Sequence, residues 1–215
     1  MGSPLLLLRD EPEVFLAFVI AVIAGITFHE FSHAAVATIQ GDRTARSQGR
    51  LTLNPLSHLD PLGSIALVLA GFGWGRPVPF NPAQLRSRRF GAAMVGLAGP
   101  AANFVLALIA VVALRIVYPT AVTAFDVDFS VILLDMLVTL NVVLGVFNLL
   151  PIPPLDGSTL LSLALPPSRQ NIVAFLDQYG IFLLLGLLIL APNLLNPIFR
   201  AITEALYGLV GLPVG

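Results

Sequence analysis

Long apolar runs alternate with short polar segments along this chain. Four of the runs, residues 14–40, 90–118, 129–150 and 172–191, are long enough to cross a bilayer, because a spanning helix needs about 20 apolar residues. The breaks between them carry the charges, glycines and prolines that end helices. This pattern predicts an all-α polytopic membrane protein with about four spanning helices.

Shorter elements fill the gaps between these runs. Residues 62–74 are apolar but too short to span and contain several glycines, which predicts a re-entrant or half-membrane helix. Residues 50–54 alternate with a period of two after a turn-like segment, which predicts a small membrane-associated β-hairpin. The prolines of residues 76–82 favour an extended segment, and residues 197–212 have the mixed composition of an interfacial helix.

Composition supports a membrane protein and excludes several other classes. Of the 215 residues, 57% are hydrophobic and 11% are charged, and the net charge is -1. Soluble domains carry about 25% charged residues, so this chain has too few charges to cover a globule in water. The net charge of -1 also argues against nucleic acid as a partner. We expect a single integral-membrane domain over residues 1–215, with a core over residues 14–160 and C-terminal helices over residues 171–212.

Arginine is distributed unequally between the two sides that four spans would define. One side would carry the arginines of residues 43–50, 76, 86–89 and 169, whereas only Arg9, Arg115 and Arg200 fall near the other. The positive-inside rule places the arginine-rich side in the cytoplasm. We therefore expect a multi-pass protein of the cell membrane with its N-terminus outside and its polar site near the cytoplasmic side.

The first apolar run contains the sequence His-Glu-Phe-Ser-His at residues 29–33. Two imidazoles four residues apart share one face of a helix, so His29 and His33 can hold one divalent metal. Glu30, next to the first ligand, is placed to activate a water molecule for hydrolysis. The pattern predicts a metal hydrolase whose site lies below the membrane surface.

A hydrolytic zinc site needs a third protein ligand and an open position. The chain has no cysteine, so the ligand must be a carboxylate or the remaining histidine, His58. Asp156 is the best candidate, because three prolines precede it and Gly157 follows it in an otherwise apolar stretch. The alternative interpretation is that Asp156 is the N-cap of a helix that begins near Ser158.

These residues resemble the site-2 protease family of intramembrane zinc metalloproteases. The resemblance rests on the motif of residues 29–33, on Phe147-Asn148 followed by Pro151 and Leu155-Asp156-Gly157, and on the spacing of the membrane segments between them. Asn54-Pro55 with residues 58–63, and Gly99-Pro100 with Asn103, are further landmarks. The chain looks like the compact form of the family, without a PDZ or CBS domain.

The resemblance implies a function and a set of roles. His29, His33 and Asp156 would bind one Zn²⁺ per chain, Glu30 would be the general base, and Asn148 would contact the reacting carbonyl. The activity would be hydrolysis of peptide bonds in or near transmembrane segments. Substrates of such enzymes include membrane-tethered anti-sigma factors and transcription factors, and a separate regulatory protein stays open as a partner.

Further residues are candidates for binding the substrate. The edge of the predicted strand, with Leu51, Leu53 and Asn54, could pair with an unwound substrate segment. His58 could bind substrate or neighbour the metal, although a histidine at the interface is more often satisfied by water or backbone. Asn103 is a further candidate, although it shares a helix face with Gly96 and Gly99 in a stripe of small residues typical of close helix packing.

Two other functions remain as alternatives. A membrane metal-ion transporter could use His29, His33 and Asp156 as a transient ion site, but it would not need Glu30. A membrane protease of the prenyl-protein type also uses two histidines at this spacing. Its third ligand would be a glutamate on another helix, and the other spans contain none.

Overall fold

The computed structural model describes residues 4–70, 73–118, 128–191 and 193–212, which are predominantly helical. Its helices are, in chain order, α1 (Pro4–Asp10), α2 (Pro12–Ile39), α3 (Thr44–Ser47), α4 (Pro61–Ala70), α5 (Arg88–Val117), α6 (Phe129–Asn148), α7 (Gly157–Ala164), α8 (Gln170–Leu190) and α9 (Asn196–Leu209). Four of them, α2, α5, α6 and α8, are long and apolar enough to cross a membrane. The four predicted spans are therefore confirmed, with small shifts at their ends.

Helices α2, α5 and α6 pack against one another and form the core of the molecule. Small residues such as Ala17, Ala21 and Ala34 are fully buried on α2, which lets the helices approach closely, and close packing is what associates helices in a membrane. Helix α8 is peripheral: only 11% of its most apolar 18-residue stretch is buried, compared with 39% for the corresponding stretch of α2. Helices α2, α5 and α6 are thus more deeply buried in the bundle than α8.

Helix α4 forms most of the predicted re-entrant segment, of which residues 71 and 72 lie outside the described residues. Leu62, Ile65 and Leu69 are exposed on its outer side. On its inner side, an apolar cavity of about 110 Å³ separates it from α2 and is lined by Val22 and Leu67, among others. The short helix therefore runs beside α2 with little direct packing between them.

The predicted β-hairpin is not confirmed. Within the described ranges the structure contains no strand, and the only β-type pairing is an isolated antiparallel bridge between Leu59 and Gly75. The backbone N–H of Arg50 donates instead to Ala45 O (2.9 Å), which closes the turn after α3. The carbonyl of Thr52 is bonded by the His58 ring. Local and side-chain partners bind these backbone groups in the places where a hairpin would pair them with a second strand.

Helix α9 corresponds to the predicted interfacial helix and is amphipathic. Its apolar side, with Phe199, Ile202 and Leu206, packs against a buried cluster of α5 and α6 formed by Ala107, Val142 and Val146. The hydroxyl of Tyr207 donates to the carboxylate of Asp135 on α6, and the exposed side carries an ion pair between Arg200 and Glu204. Helix α9 therefore covers the side of the bundle formed by α5 and α6.

Candidate metal centre

His29 and His33 lie one helical turn apart on the buried side of α2. Their ring centroids are 4.6 Å apart with the rings nearly perpendicular, and each residue is less than one-tenth exposed. This arrangement follows from their spacing, since residues four apart in a helix share a face. Both imidazoles point towards α5 and away from the lipid-facing side of α2.

Hydrogen bonds to α5 set the tautomer of both rings. Nδ1 of His29 lies 2.7 Å from Asn103 Oδ1, and Nδ1 of His33 lies 2.6 Å from the carbonyl oxygen of Val95. The Val95 carbonyl can only accept, so Nδ1 of His33 is the protonated nitrogen. Asn103 Nδ2 donates to Gly25 O and to Asn141 Oδ1, which leaves its Oδ1 to accept from His29. In neutral imidazoles both Nε2 atoms then carry a lone pair.

Asp156 completes the group from the segment that joins α6 to α7. Its Oδ2 lies 3.0 Å from His29 Nε2 and 3.3 Å from His33 Nε2, and one ligand atom from each of the three residues falls within 4.8 Å of the others. The alternative role as an N-cap is not supported: Asp156 precedes α7, but its side chain makes no capping hydrogen bond.

The chemistry of this donor set fits a zinc ion. Asp156 Oδ2 is a buried oxygen without a hydrogen-bond partner, and it faces two nitrogens whose protons are on the far side of their rings. Three lone-pair donors that converge in an apolar surrounding repel one another unless a cation lies between them. Two histidines and one carboxylate are a known ligand set for catalytic zinc, with a fourth position left for water or substrate.

Helix α5 forms the wall of this site through two glycines. A Cβ atom at Gly99 would lie 2.4 Å from His33 Nε2 and 2.5 Å from His29 Nε2, and one at Gly96 would lie 3.0 Å from the carbonyl oxygen of Asp156. The space that side chains would fill at these positions is occupied by the imidazoles and by the segment of Asp156. The small-residue stripe predicted for close packing therefore borders the metal-ligand group itself.

Glu30 is half-buried beside the histidines and is held by the extended segment predicted at residues 76–82. The backbone N–H of Val78 donates to Glu30 Oε2 over 2.9 Å. This segment is tied in turn to its neighbours: Arg76 N–H donates to His58 O over 2.7 Å, and the Arg50 guanidinium donates to Arg76 O. The segment is non-helical, as its prolines predict, until a 3₁₀ turn begins at Pro82.

The structure places the other candidate residues in different environments. Asn103 and His58 are fully buried, so neither is open to a substrate: Asn103 orients His29, and His58 Nε2 bonds Thr52 O over 2.7 Å. Leu51 packs against a small core cluster, whereas Leu53 is exposed. The remaining two, Asn54 and Asn148, bond within their own segments: Asn54 accepts from Leu56 N, and Asn148 donates to Leu144 O.

Sequence reasoning missed Val95, Val78 and Arg50. Val95 and Val78 act through backbone atoms, for which residue type carries no signal. Arg50 is only 6% exposed, and its burial could not be recognised from the pattern of a segment predicted to form a membrane-associated hairpin. The sequence placed Asn103 on one helix face with Gly96 and Gly99, and only the structure shows that this face meets the histidines.

Comparison with known proteins identifies relatives over most of the chain. The family model "Peptidase family M50" matches residues 123–188. The chain is 40% identical over 192 residues to a Bacillus subtilis (strain 168) protein named "Putative zinc metalloprotease YwhC", with 85% of each chain covered. It is 36% identical over 194 residues to a protein named "Putative zinc metalloprotease Rip2" from Mycolicibacterium smegmatis, covering 86% of this chain and 72% of the relative.

A third relative, named Rip2 in Mycobacterium tuberculosis (strain H37Rv), is 33% identical over 214 residues, which cover 94% of this chain and 78% of the relative. No solved structure matches the chain significantly. The relatives' names and the donor set of the site agree on zinc as the metal. The extent of these matches, together with the apolar spanning helices, shows that this chain belongs to peptidase family M50, the site-2 protease family of membrane zinc metalloproteases.

Proposed function

We propose that this protein is an intramembrane endopeptidase that hydrolyses peptide bonds in or near the transmembrane segments of other membrane proteins. The observation that carries the proposal is the convergence of Asp156 with His29 and His33 of α2, a helix that also carries Glu30 and is apolar enough to span a membrane. A transporter would need the ligands but not the neighbouring carboxylate. The residues from 14 to 160 would form the catalytic core.

The chain's own residues would divide the work of peptide hydrolysis. His29, His33 and Asp156 would hold the zinc ion, which, when bound, acts as a Lewis acid towards water and the substrate carbonyl. Glu30 would take the proton of the attacking water and pass it to the leaving amine. Oε2 of Glu30 is occupied by the Val78 N–H, so Oε1 is the oxygen that we assign to proton transfer.

The orientation of both histidines is part of this mechanism. Asn103 and the Val95 carbonyl bond to Nδ1 and thereby present Nε2 of each ring to the metal. Such outer partners fix the ring direction and raise the basicity of the ligand. Asn148 is proposed to contact the reacting carbonyl. Its Nδ2 donates one N–H to Leu144 O, and the second N–H of the same amide would make that contact.

A transmembrane substrate would have to unwind before cleavage, because the carbonyl groups of an intact helix are already hydrogen-bonded. The extended segment around Val78 adjoins Glu30, and Leu53 and Asn54 are exposed on the neighbouring segment. We propose that an unwound substrate binds along these segments, near the cytoplasmic side of the cell membrane. The N-terminus would lie outside.

A cleavage assay with the purified protein tests this function. Wild type, Glu30→Gln and the control Glu13→Gln, which alters an exposed residue of the same helix, would be given a single-span substrate in detergent or vesicles. We expect about one zinc per chain in all three, cleavage by wild type and Glu13→Gln, and a loss of roughly 100-fold or more in Glu30→Gln. Undiminished cleavage by Glu30→Gln, or zinc-loaded wild type that conducts metal and cleaves nothing, would overturn the proposal.

A further inference from the structure

Arg89, near the start of α5, reaches the far end of helix α7. Its Nε donates to Ser162 O (3.1 Å), and its Nη2 donates to Ser162 O (3.0 Å), Leu163 O (2.9 Å) and Leu165 O. One guanidinium therefore binds the carbonyl groups of three residues, 162, 163 and 165, at the C-terminus of α7.

These carbonyl groups are the ones that a helix cannot satisfy internally. The last four C=O groups of any α-helix lack an intrahelical partner and carry the negative end of the helix dipole. A guanidinium suits them, because its charge opposes the dipole and its forked N–H groups can reach several oxygens at once. Arg89 is thus a C-terminal cap of α7 that is supplied by another helix.

The opposite end of α7 carries Asp156. The helix contains eight residues, which correspond to about 12 Å at 1.5 Å per residue. At its N-terminus, Thr159 Oγ1 and N both donate to Asp156 O (2.7 and 3.0 Å), so the ligand is bound to the first turn of α7. Any tilt of α7 at the end that Arg89 holds would therefore shift the carboxylate of Asp156.

Helix α5 approaches every member of the ligand group. Arg89 and Gly96 are two helical turns apart on one face, and Gly96 meets Thr159 and Asp156. Further along the same helix, Val95 and Asn103 orient the two imidazoles. Helix α7 packs more extensively against α5 than against the peripheral helix α8. The position of α7 relative to the histidines thus depends on α5.

We propose that Arg89 is a positioning residue for the metal: by fixing α7 to α5, it sets the distance between Asp156 and the two histidines. This inference rests on the proposed role of Asp156 as a ligand. It assigns no contact between Arg89 and the metal or the substrate. Its effect is on how tightly and in which geometry the metal is bound.

Metal binding to full-length variants purified in detergent tests the inference. We would measure the zinc dissociation constant by competition with a chelator, and the visible absorption of the cobalt(II)-loaded protein as a readout of ligand geometry. The variants are Arg89→Ala, Arg89→Lys and the control Arg88→Ala, which removes an equally charged, exposed neighbour for which the described part of the chain shows no hydrogen bond or ion pair.

We expect Arg89→Ala to bind zinc about 10-fold more weakly, because the loss of residues that hold the ligands in place weakens metal binding by about this factor. We also expect the cobalt spectrum to change. Arg88→Ala should match wild type in both. Arg89→Lys should be intermediate, because one ammonium group cannot reach three carbonyl oxygens. If Arg89→Ala does not fold, the zinc affinity and cobalt spectrum of Arg89→Lys test the inference. The inference would be overturned if both Arg89 variants had the same zinc affinity and cobalt spectrum as Arg88→Ala.

Asp156→Ala separates this inference from the function on which it rests. Loss of zinc from Asp156→Ala together with unchanged Arg89 variants would reject the positioning role alone. Retention of zinc by Asp156→Ala with wild-type affinity would reject the ligand assignment itself.

Discussion

The side-chain oxygen of Asn103 lies 2.7 Å from Nδ1 of His29. The same amide donates to Gly25 O and to Asn141 Oδ1, and Asn141 donates to Leu137 O. This chain of bonds fixes the direction of the amide, and therefore the tautomer and direction of the imidazole, in a part of the bundle where His29, Asn103 and Asn141 are all buried. A polar network of this kind is stable only when each member has a partner.

Removal of Asn103 should weaken metal binding. In Asn103→Ala the Nδ1–H of His29 loses its acceptor, so the ring can rotate or change tautomer. We expect a zinc dissociation constant about 10- to 100-fold higher than in wild type, measured by chelator competition. Asn171→Ala, which alters an exposed residue at the start of α8, should match wild type. Equal zinc affinity in the two variants would contradict the role of Asn103.

A methyl group at Gly99 should abolish the metal site. The added Cβ would lie 2.4 and 2.5 Å from the Nε2 atoms of His33 and His29, which is closer than van der Waals contact permits, so the rings or α5 must move. We expect Gly99→Ala to be purified without stoichiometric zinc by metal analysis. Gly186→Ala on α8 meets no atom within 4 Å and should retain zinc. Full zinc content in Gly99→Ala would show that the rings do not approach α5 as described.

Loss of Arg50 should affect turnover more than metal content. The buried guanidinium bonds the carbonyl of Arg76, two residues before the N–H that holds Glu30. In Arg50→Ala the extended segment should shift and misplace the base. We expect kcat to fall about 10- to 100-fold, because a small displacement of a catalytic group slows the reaction by about this factor. Zinc content should stay at the wild-type value.

Arg76→Ala is the matched control for this prediction. It removes one positive charge from an exposed side chain but leaves the backbone carbonyl that Arg50 bonds. Its kcat should remain near that of wild type. Equal losses of kcat in Arg50→Ala and Arg76→Ala would mean that charge, and not the bond to the backbone, is responsible.

Asp42 should make the fold sensitive to acid. Burial raises the pKa of its carboxyl group, but hydrogen bonds from Thr44 and from the backbone N–H of Asn81 outweigh burial, so the pKa lies below its ordinary value. A lowered folded-state pKa stabilises the protein above the unfolded pKa, about 3.9, and this contribution is lost as the pH falls through the folded-state value.

Unfolding temperatures measured between neutral pH and about pH 3 would check this prediction, since the range includes the ordinary pKa of aspartate. Wild type and Asp177→Asn, which alters an exposed aspartate, should lose stability towards the acidic end. Asp42→Asn should be less stable at neutral pH and should lose less on acidification. A parallel acid dependence in all three proteins would exclude Asp42 as the cause.

The parts of the fold that repeat a simple period could be predicted from the sequence. The spans followed from the length of the apolar runs, and the shared face of His29 and His33 followed from helical geometry. The hairpin prediction was not confirmed, because the apolar and polar residues of 50–54 alternate in the sequence but their burial does not: Arg50 is buried, whereas Leu53 is exposed. Arg50 is buried there by a bond to the backbone of Arg76, a contact across 26 residues.

The grouping of His29, His33 and Asp156 could be predicted from the sequence, whereas the hydrogen bonds that hold these residues in place could not. Asp156 stood out because a carboxylate in an apolar stretch needs a compensating charge. Asn103 was considered as a substrate contact, yet the structure buries it against His29. Sequence alone does not say which of several helices an intramembrane asparagine faces. The same limit applies to Arg89, whose position among the arginines of the side predicted to be cytoplasmic suggested only membrane orientation.

X-ray absorption at the zinc edge of the purified protein tests the central claim most directly, because it reports the atoms that surround the metal. The account predicts about one zinc per chain, with scattering from two imidazole rings and at least one oxygen at about 2.0–2.2 Å, and loss of the metal in Asp156→Ala. Zinc without imidazole scattering, or an unchanged spectrum and zinc content in Asp156→Ala, would contradict it.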